Sequence, residues 1–158
     1  MMEKIQWKYL IGSIIISLGV GNLAGILTRN STHVYESLYK PEIAPPSIVF
    51  PIVWTILFIF MGISAYLVFV STNDYEGKEE ALQLYWLQLV VNFFWSIIFF
   101  RLEAYWFAFV WLVLLWVLVF ITTIGFYKIN KIAGVIMIPY LIWLTFAGYL
   151  NFVIAWYA

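Results

Sequence analysis

The sequence predicts an all-α membrane protein, a five-transmembrane-helix bundle forming one domain over residues 1–158. Five uncharged runs, at residues 9–28, 43–73, 81–100, 104–127 and 132–158, each reach the roughly 20 apolar residues that carry a helix across a bilayer. Charged residues make up 10% of the chain and fall almost wholly between those runs. No ten-residue alternation marks barrel strands, and in hydrocarbon only helices and closed barrels satisfy every backbone polar group.

The first helix is expected at about residues 7–28. Lys4 and Lys8 precede it as the n-region of a signal peptide would. The run is longer than the roughly 7 to 15 residues of an h-region, and Gly25-Ile26-Leu27-Thr28 lacks a small-x-small cleavage pattern, so it reads as a retained span. Ser17, Gly21 and Gly25 recur at every fourth position, a spacing that permits close helix approach within the bundle or between subunits.

The second helix is expected at about 47–71, with Pro51 in its first turn, where a missing N–H costs no hydrogen bond. The third follows at about 80–100, preceded by a solvated turn, Asp74-Tyr75-Glu76-Gly77-Lys78-Glu79-Glu80, whose acidic residues suit a helix N-terminus. The fourth and fifth are expected at about 104–127 and 132–157. The short connections at 101–103 and 128–131 force helices three to five to pack as antiparallel neighbours. The first connection, about 29–46, is long and carries Tyr35, Tyr39 and Ile43 among Pro41, Pro45 and Pro46. Such a segment is either an ordered lid over a site or a stiff turn that shapes entry to the second helix.

An odd number of helices puts the termini on opposite sides. Lys4, Lys8, Lys78, Lys128 and Lys131 fall on the N-terminal side against Arg29, Lys40 and Arg101 on the other, which places the N-terminus inside.

A net charge of zero argues against a nucleic-acid partner. The chain has no Cys, which removes disulfides and thiolate chemistry, and His33 is its single imidazole, so no metal site is expected. None of the five runs holds Asp, Glu, Lys, Arg or His, which argues against an ion- or proton-coupled transporter.

The polar groups left inside the runs are neutral. Gln88, Asn92 and Ser96 recur every four residues on one face of the third helix, and Tyr140, Trp143, Ala147 and Asn151 form a second one-sided stripe on the fifth. Asn22 and Thr145 stand apart. Interhelical hydrogen bonds, each about 0.6 kcal/mol in membranes, account for any one of these; a ligand cavity accounts for the stripes together. Nine Trp, eleven Tyr and fourteen Phe are 22% of the chain. Trp7, Trp86, Trp106 and Trp156 read as interfacial anchors, whereas Trp54, Trp95 and Trp143 lie within runs close to the polar stripes. A large flat apolar ligand with a few polar edges suits such surroundings; packing towards lipid is the alternative. Reversed sterol-type patterns run from Arg29 through Tyr35 to Leu38 and from Arg101 through Tyr105 to Val110, while the forward pattern is missing after Tyr149.

Several motifs together resemble the translocator protein family, also called tryptophan-rich sensory proteins or peripheral-type benzodiazepine receptors. They are Lys40-Pro41 with Pro45-Pro46, Phe50-Pro51-Ile52-Val53-Trp54-Thr55, Asn92-Phe93-Phe94-Trp95-Ser96 with Ile98-Phe99-Phe100, and Pro139-Tyr140-Leu141-Ile142-Trp143 followed by Phe146-Ala147 and Leu150-Asn151. The resemblance covers nearly the whole chain. One departure is Ile43, where the family usually has Trp two residues before the paired prolines.

The resemblance implies a homodimer with no obligatory cofactor, and a cavity under the first connection that takes porphyrins such as haem and protoporphyrin IX, isoquinoline carboxamides or benzodiazepines, and sterols in animal members. By matching position it implies a pocket of Trp54, Asn92, Trp95, Tyr140, Trp143, Ala147 and Asn151 under a cover of Tyr35, Pro41 and Pro45. The missing forward sterol pattern fits a bacterial-type member in a bacterial cell membrane. Three activities are compatible: a receptor for porphyrin-type small molecules, light- and oxygen-dependent porphyrin breakdown with Trp54 and Trp143 as the catalytic residues, or movement of tetrapyrroles or lipid across the membrane. Axial iron ligation is not expected, since His33 lies outside the helices and Tyr is an uncommon intramembrane ligand.

Overall fold

Backbone satisfaction in hydrocarbon and apolar run length together produce helices here, and the computed structural model, which describes residues 4–29, 32–72 and 77–158, is all helix and connection. The helices are α1 (Trp7–Thr28), α2 (Thr32–Ser37), α3 (Val49–Phe69), α4 (Lys78–Ser96), α5 (Tyr105–Ile129) and α6 (Lys131–Tyr157). A π-helical turn, Ile97–Arg101, continues α4. Five helices are long and apolar enough to span a membrane: α1, α3, α4 with its π turn, α5 and α6. Asp74, Tyr75 and Glu76 of the expected acidic turn lie outside the described residues.

The first connection differs from a loop throughout, because α2 occupies Thr32–Ser37. Lys40 explains its end: Nζ donates to the carbonyls of Tyr35, Glu36 and Leu38 at 2.8, 3.2 and 3.1 Å. Such a cap satisfies carbonyls that the last turn leaves without donors. Pro51 falls in the first turn of α3, and Glu79 and Glu80 in that of α4. Asn130 ends α5 and caps α6, its side chain accepting from Ala133 N at 3.1 Å. That one-residue junction is tight: a Cβ on Gly134 would lie 2.6 Å from Tyr127 Cα. The turn from the π segment to α5 contains Glu103 at φ 52°.

Packing joins α5 to α6 and α4, α1 to α3, and α3 to α6. Leu115, Val119, Phe126 and Met137 are wholly buried between them, while Ile11, Ile15, Val110 and Ile142 face outwards, as lipid permits. Because apolar residues lie on both sides, helix contacts rest on small residues and hydrogen bonds rather than a hydrophobic stripe. Ser13 Oγ donates to Gly62 O at 2.8 Å and Ser17 Oγ to Phe58 O at 2.6 Å, tying α1 to α3. A Cβ on Gly62 would meet Ile14 Cα at 2.6 Å. Ser64 Oγ donates to Ala133 O, joining α3 to α6, and Trp111 Nε1 to Val91 O, joining α5 to α4. The Ser17-Gly21-Gly25 stripe is thus split: Ser17 and Gly21 meet Phe58 of α3, while a Cβ on Gly25 would meet nothing within 4 Å.

Candidate functional site

Beyond Gly21, α1 no longer packs tightly on α3, and a cavity of about 670 Å³ opens between α1, α3 and α4. Its α1 wall includes Asn22 and Gly25, its α3 wall Phe50, Trp54 and Phe58, and its α4 wall Asn92, Trp95 and Ser96, with Phe100 from the π turn. Tyr35, Arg29 and Ser47 border the end nearest the first connection. The volume lies within the range of small-molecule sites, and the lining is mostly apolar with a few polar groups, the pattern such sites show.

Trp54 is the hub of the aromatic wall. Its ring lies 6.4 Å from Trp95, 6.4 Å from Trp143 at 89°, 6.1 Å from Tyr140 at 73° and 5.7 Å from Phe58. These separations suit edge-to-face and offset contacts, which fix ring orientation. Phe50 links the same group to the first connection, 5.7 Å from Trp143 and 4.9 Å from Tyr35.

Two polar chains stand behind the wall. Asn92 Nδ2 donates to Tyr140 Oη at 2.6 Å, Tyr140 Oη donates to Gln88 Oε1 at 2.7 Å, and Gln88 Nε2 approaches Met61 Sδ at 3.8 Å. Trp95 Nε1 donates to Asn151 Oδ1 at 3.1 Å, and Asn151 Nδ2 to Tyr105 O at 3.0 Å. The first connection is held by Tyr35 Oη donating to Pro45 O at 2.8 Å and by Ser47 Oγ donating to Glu36 Oε1 at 3.0 Å. Lys40 Nζ sits 4.7 Å from the centre of the Tyr35 ring. Burial pushes the Tyr35 phenol above its ordinary pKa, so it stays a neutral donor near neutral pH.

Of the residues implied by resemblance, Tyr35, Trp54, Asn92 and Trp95 line this cavity. Ala147 and Asn151 instead border a void of about 20 Å³ that shares Tyr35, Phe50, Trp95 and Phe100 with it. Tyr140 and Trp143 lie outside the lining of both spaces and pack behind Trp54. Trp143 Nε1 is buried without a partner among the described residues. Pro45 acts through its carbonyl, and Pro41 O accepts from Ala44 N in a turn at 3.0 Å. The Tyr140 hydroxyl and the Asn151 amide are turned to protein groups rather than to the cavity.

Gly25, Phe50, Phe58, Phe100 and Arg29 line the cavity and were not singled out for it by sequence, whereas Ser96, which also lines it, belongs to the polar stripe on the third helix. The four-residue spacing on α1 and Asn22 beside it were the available signals. Among the described residues lining the cavity none is His, Cys or Met, and the hydroxyl of Tyr35 is committed to Pro45 O, so the donor set does not suit axial ligation of a haem iron.

Residues 13–157 match the model of the TspO/MBR family. The chain is 36% identical over 140 residues to "Tryptophan-rich protein TspO" of Chlorobaculum tepidum, covering 88% of this chain and 89% of that one. It is 40% identical over 118 residues to "Protein CrtK" of Rhodobacter capsulatus, covering 75% and 74%. It is 35% identical over 119 residues to human "Translocator protein", covering 75% and 70%. With bacterial and animal relatives aligned over most of their length, and five helices long and apolar enough to span a membrane, the chain belongs to the TspO/MBR family.

Proposed function

We propose that this protein is an integral membrane receptor for porphyrin-type molecules, such as protoporphyrin IX, and for isoquinoline carboxamide or benzodiazepine-type ligands, held in the α1–α3–α4 cavity. The observation that carries the reading is polarity along one axis. Aromatic rings from Trp54, Phe58 and Trp95 lie inside, and Arg29 is the one charged group among the described residues lining the space, at the end beside the first connection. A planar amphipathic acid fits that axis, with its ring between aromatic faces and its carboxylates towards the guanidinium.

The test is a titration of purified protein in detergent with protoporphyrin IX, followed by Trp quenching in darkness. Saturable binding weakened in Trp54→Ala, and weakened for the acid but not its dimethyl ester in Arg29→Gln, is the expected result. Binding unchanged in both variants overturns the reading.

A second reading, photochemical breakdown of the bound pigment, draws on the contact of Trp54 with both the cavity and Trp143. No Asp, Glu, His or Lys is found among the described lining residues, so pigment, light and oxygen supply the chemistry. Loss of the pigment band under illumination in air, absent in Trp54→Phe, separates it from passive binding. The same proposal places the protein in a bacterial cell membrane as a homodimer through its transmembrane helices. The N-terminus is inside by its five-to-three excess of basic residues, so the first connection and the Arg29 end face outwards.

A further inference from the structure

Met61, Gln88 and Tyr140 are each 0% exposed and lie outside the cavity lining, yet they form one chain that ends on Asn92, which lines it. A chain of hydrogen bonds has a direction, fixed where a member has no choice. A thioether carries lone pairs and no hydrogen, so Met61 Sδ can only accept. Gln88 turns Nε2 to that sulfur, which points its rigid amide's Oε1 at Tyr140. Tyr140 gives its single proton to Oε1 and has lone pairs left for Asn92. Asn92 must then offer Nδ2, which turns Oδ1 away from Tyr140. Reversing the chain would set Gln88 Oε1 against the Met61 sulfur, two acceptors face to face with no water to separate them, at a cost that low dielectric enlarges.

Four other lining residues turn their donors away from the cavity. Thr28 Oγ1 donates to Ala24 O, Thr55 Oγ1 to Pro51 O, Tyr35 Oη to Pro45 O, and Trp95 Nε1 to Asn151 Oδ1, so these donors are spent on protein acceptors. The other donors of the lining, on Asn22, Ser96 and Arg29, sit elsewhere on the wall, so the preference for a ligand donor is local to Asn92.

We propose that Met61 and Gln88 are positioning residues that lock the Asn92 amide with its carbonyl oxygen available to the cavity, so that the site selects planar ligands presenting an N–H or O–H over those presenting a bare acceptor. The inference rests on the reading of this cavity as the ligand site. It adds a polarity to that site: a ring donor faces Asn92, and acceptors such as carboxylates go to the Arg29 end.

Carbazole and dibenzofuran are planar probes of nearly identical shape that differ by N–H against O. Their dissociation constants are measured calorimetrically on the full chain in detergent micelles, and the ratio of the two is compared between proteins. Wild type favours carbazole relative to Met61→Leu by about fivefold in that ratio, the scale of one neutral hydrogen bond. Gln88→Leu shifts the ratio further, since Tyr140 then turns its proton to Asn92 and the amide reverses. Met61→Leu nearly conserves volume, so it preserves the fold even where Gln88→Leu does not. A merely structural role would weaken both probes together and leave the ratio unmoved. An equal ratio in wild type and Met61→Leu overturns the positioning role and leaves the cavity reading standing. Failure of both probes to saturate the wild-type protein overturns the cavity reading and this inference with it.

Discussion

Helices α1 and α6 are both apolar enough to cross a membrane, yet α6 buries Ala133, Gly134, Met137, Tyr140, Leu144, Ala147, Leu150, Asn151, Ile154 and Ala155, whereas α1 buries Ser17, Ala24 and Thr28. Hydropathy does not separate them; the placement of small and polar residues does. Along α6 they meet neighbours on two sides, through Ala133 to Ser64 of α3 and through Thr145 to Trp116 of α5. Along α1 they meet α3 over Ser13 to Gly21, and from Asn22 to Thr28 the helix borders open space. The cavity is what remains when a helix is fastened at one end and left loose at the other.

The comparison breaks most strongly at Gly62. Replacing it with Ala drives a Cβ into Ile14 Cα, 2.6 Å away, where backbone cannot give. The expected loss is about 3 kcal/mol, the upper range for overpacking. Thermal unfolding in detergent checks it against Gly19→Ala, where a Cβ meets nothing within 4 Å and no loss is expected.

Next comes the aromatic hub. Trp54→Ala removes a ring in contact with Trp95, Tyr140 and Trp143, and ligand affinity should fall by about 2 kcal/mol, near thirtyfold, on the scale of an interface hot spot. A titration with protoporphyrin IX reads it directly.

The cover should matter less. Tyr35→Phe keeps the ring against Phe50 and removes the bond to Pro45 O, costing about 1 kcal/mol and showing as faster ligand release in stopped-flow quenching. Because burial raises this phenol above its ordinary value of 10.0, the stability it contributes is fully present below pH 10.0 and declines as pH rises beyond it. Release rates should therefore be flat from pH 6 to 9 as far as Tyr35 is concerned. Smallest of all, Gly25→Ala adds a methyl group into space free of protein atoms, so its melting temperature should match wild type, or rise slightly from helix propensity, while affinity drops modestly.

The fold was legible because hydrocarbon leaves the backbone few options, so uncharged run length alone located the five spans. The α2 helix was not, since its end depends on Lys40 reaching three carbonyls, which no periodicity reveals. The polar stripes were readable from spacing, but their partners were not. Spacing puts Tyr140 and Asn151 on one face without saying that Gln88 and Asn92 take up the first and Trp95 and Tyr105 the second. The α1 wall was the hardest part. A four-residue repeat signals close approach, and nothing in it shows that the contact stops at Gly21 and leaves Gly25 facing a cavity.

Gly12 and Gly25 of α1 both have space for a side chain, and Gly25 alone of the two lines the cavity. Titrating wild type, Gly12→Leu and Gly25→Leu with protoporphyrin IX in darkness is therefore the most direct test of the ligand site. Wild-type affinity in Gly12→Leu with binding lost in Gly25→Leu is the expected result. Equal, undiminished binding in all three proteins would contradict a ligand seated between α1, α3 and α4.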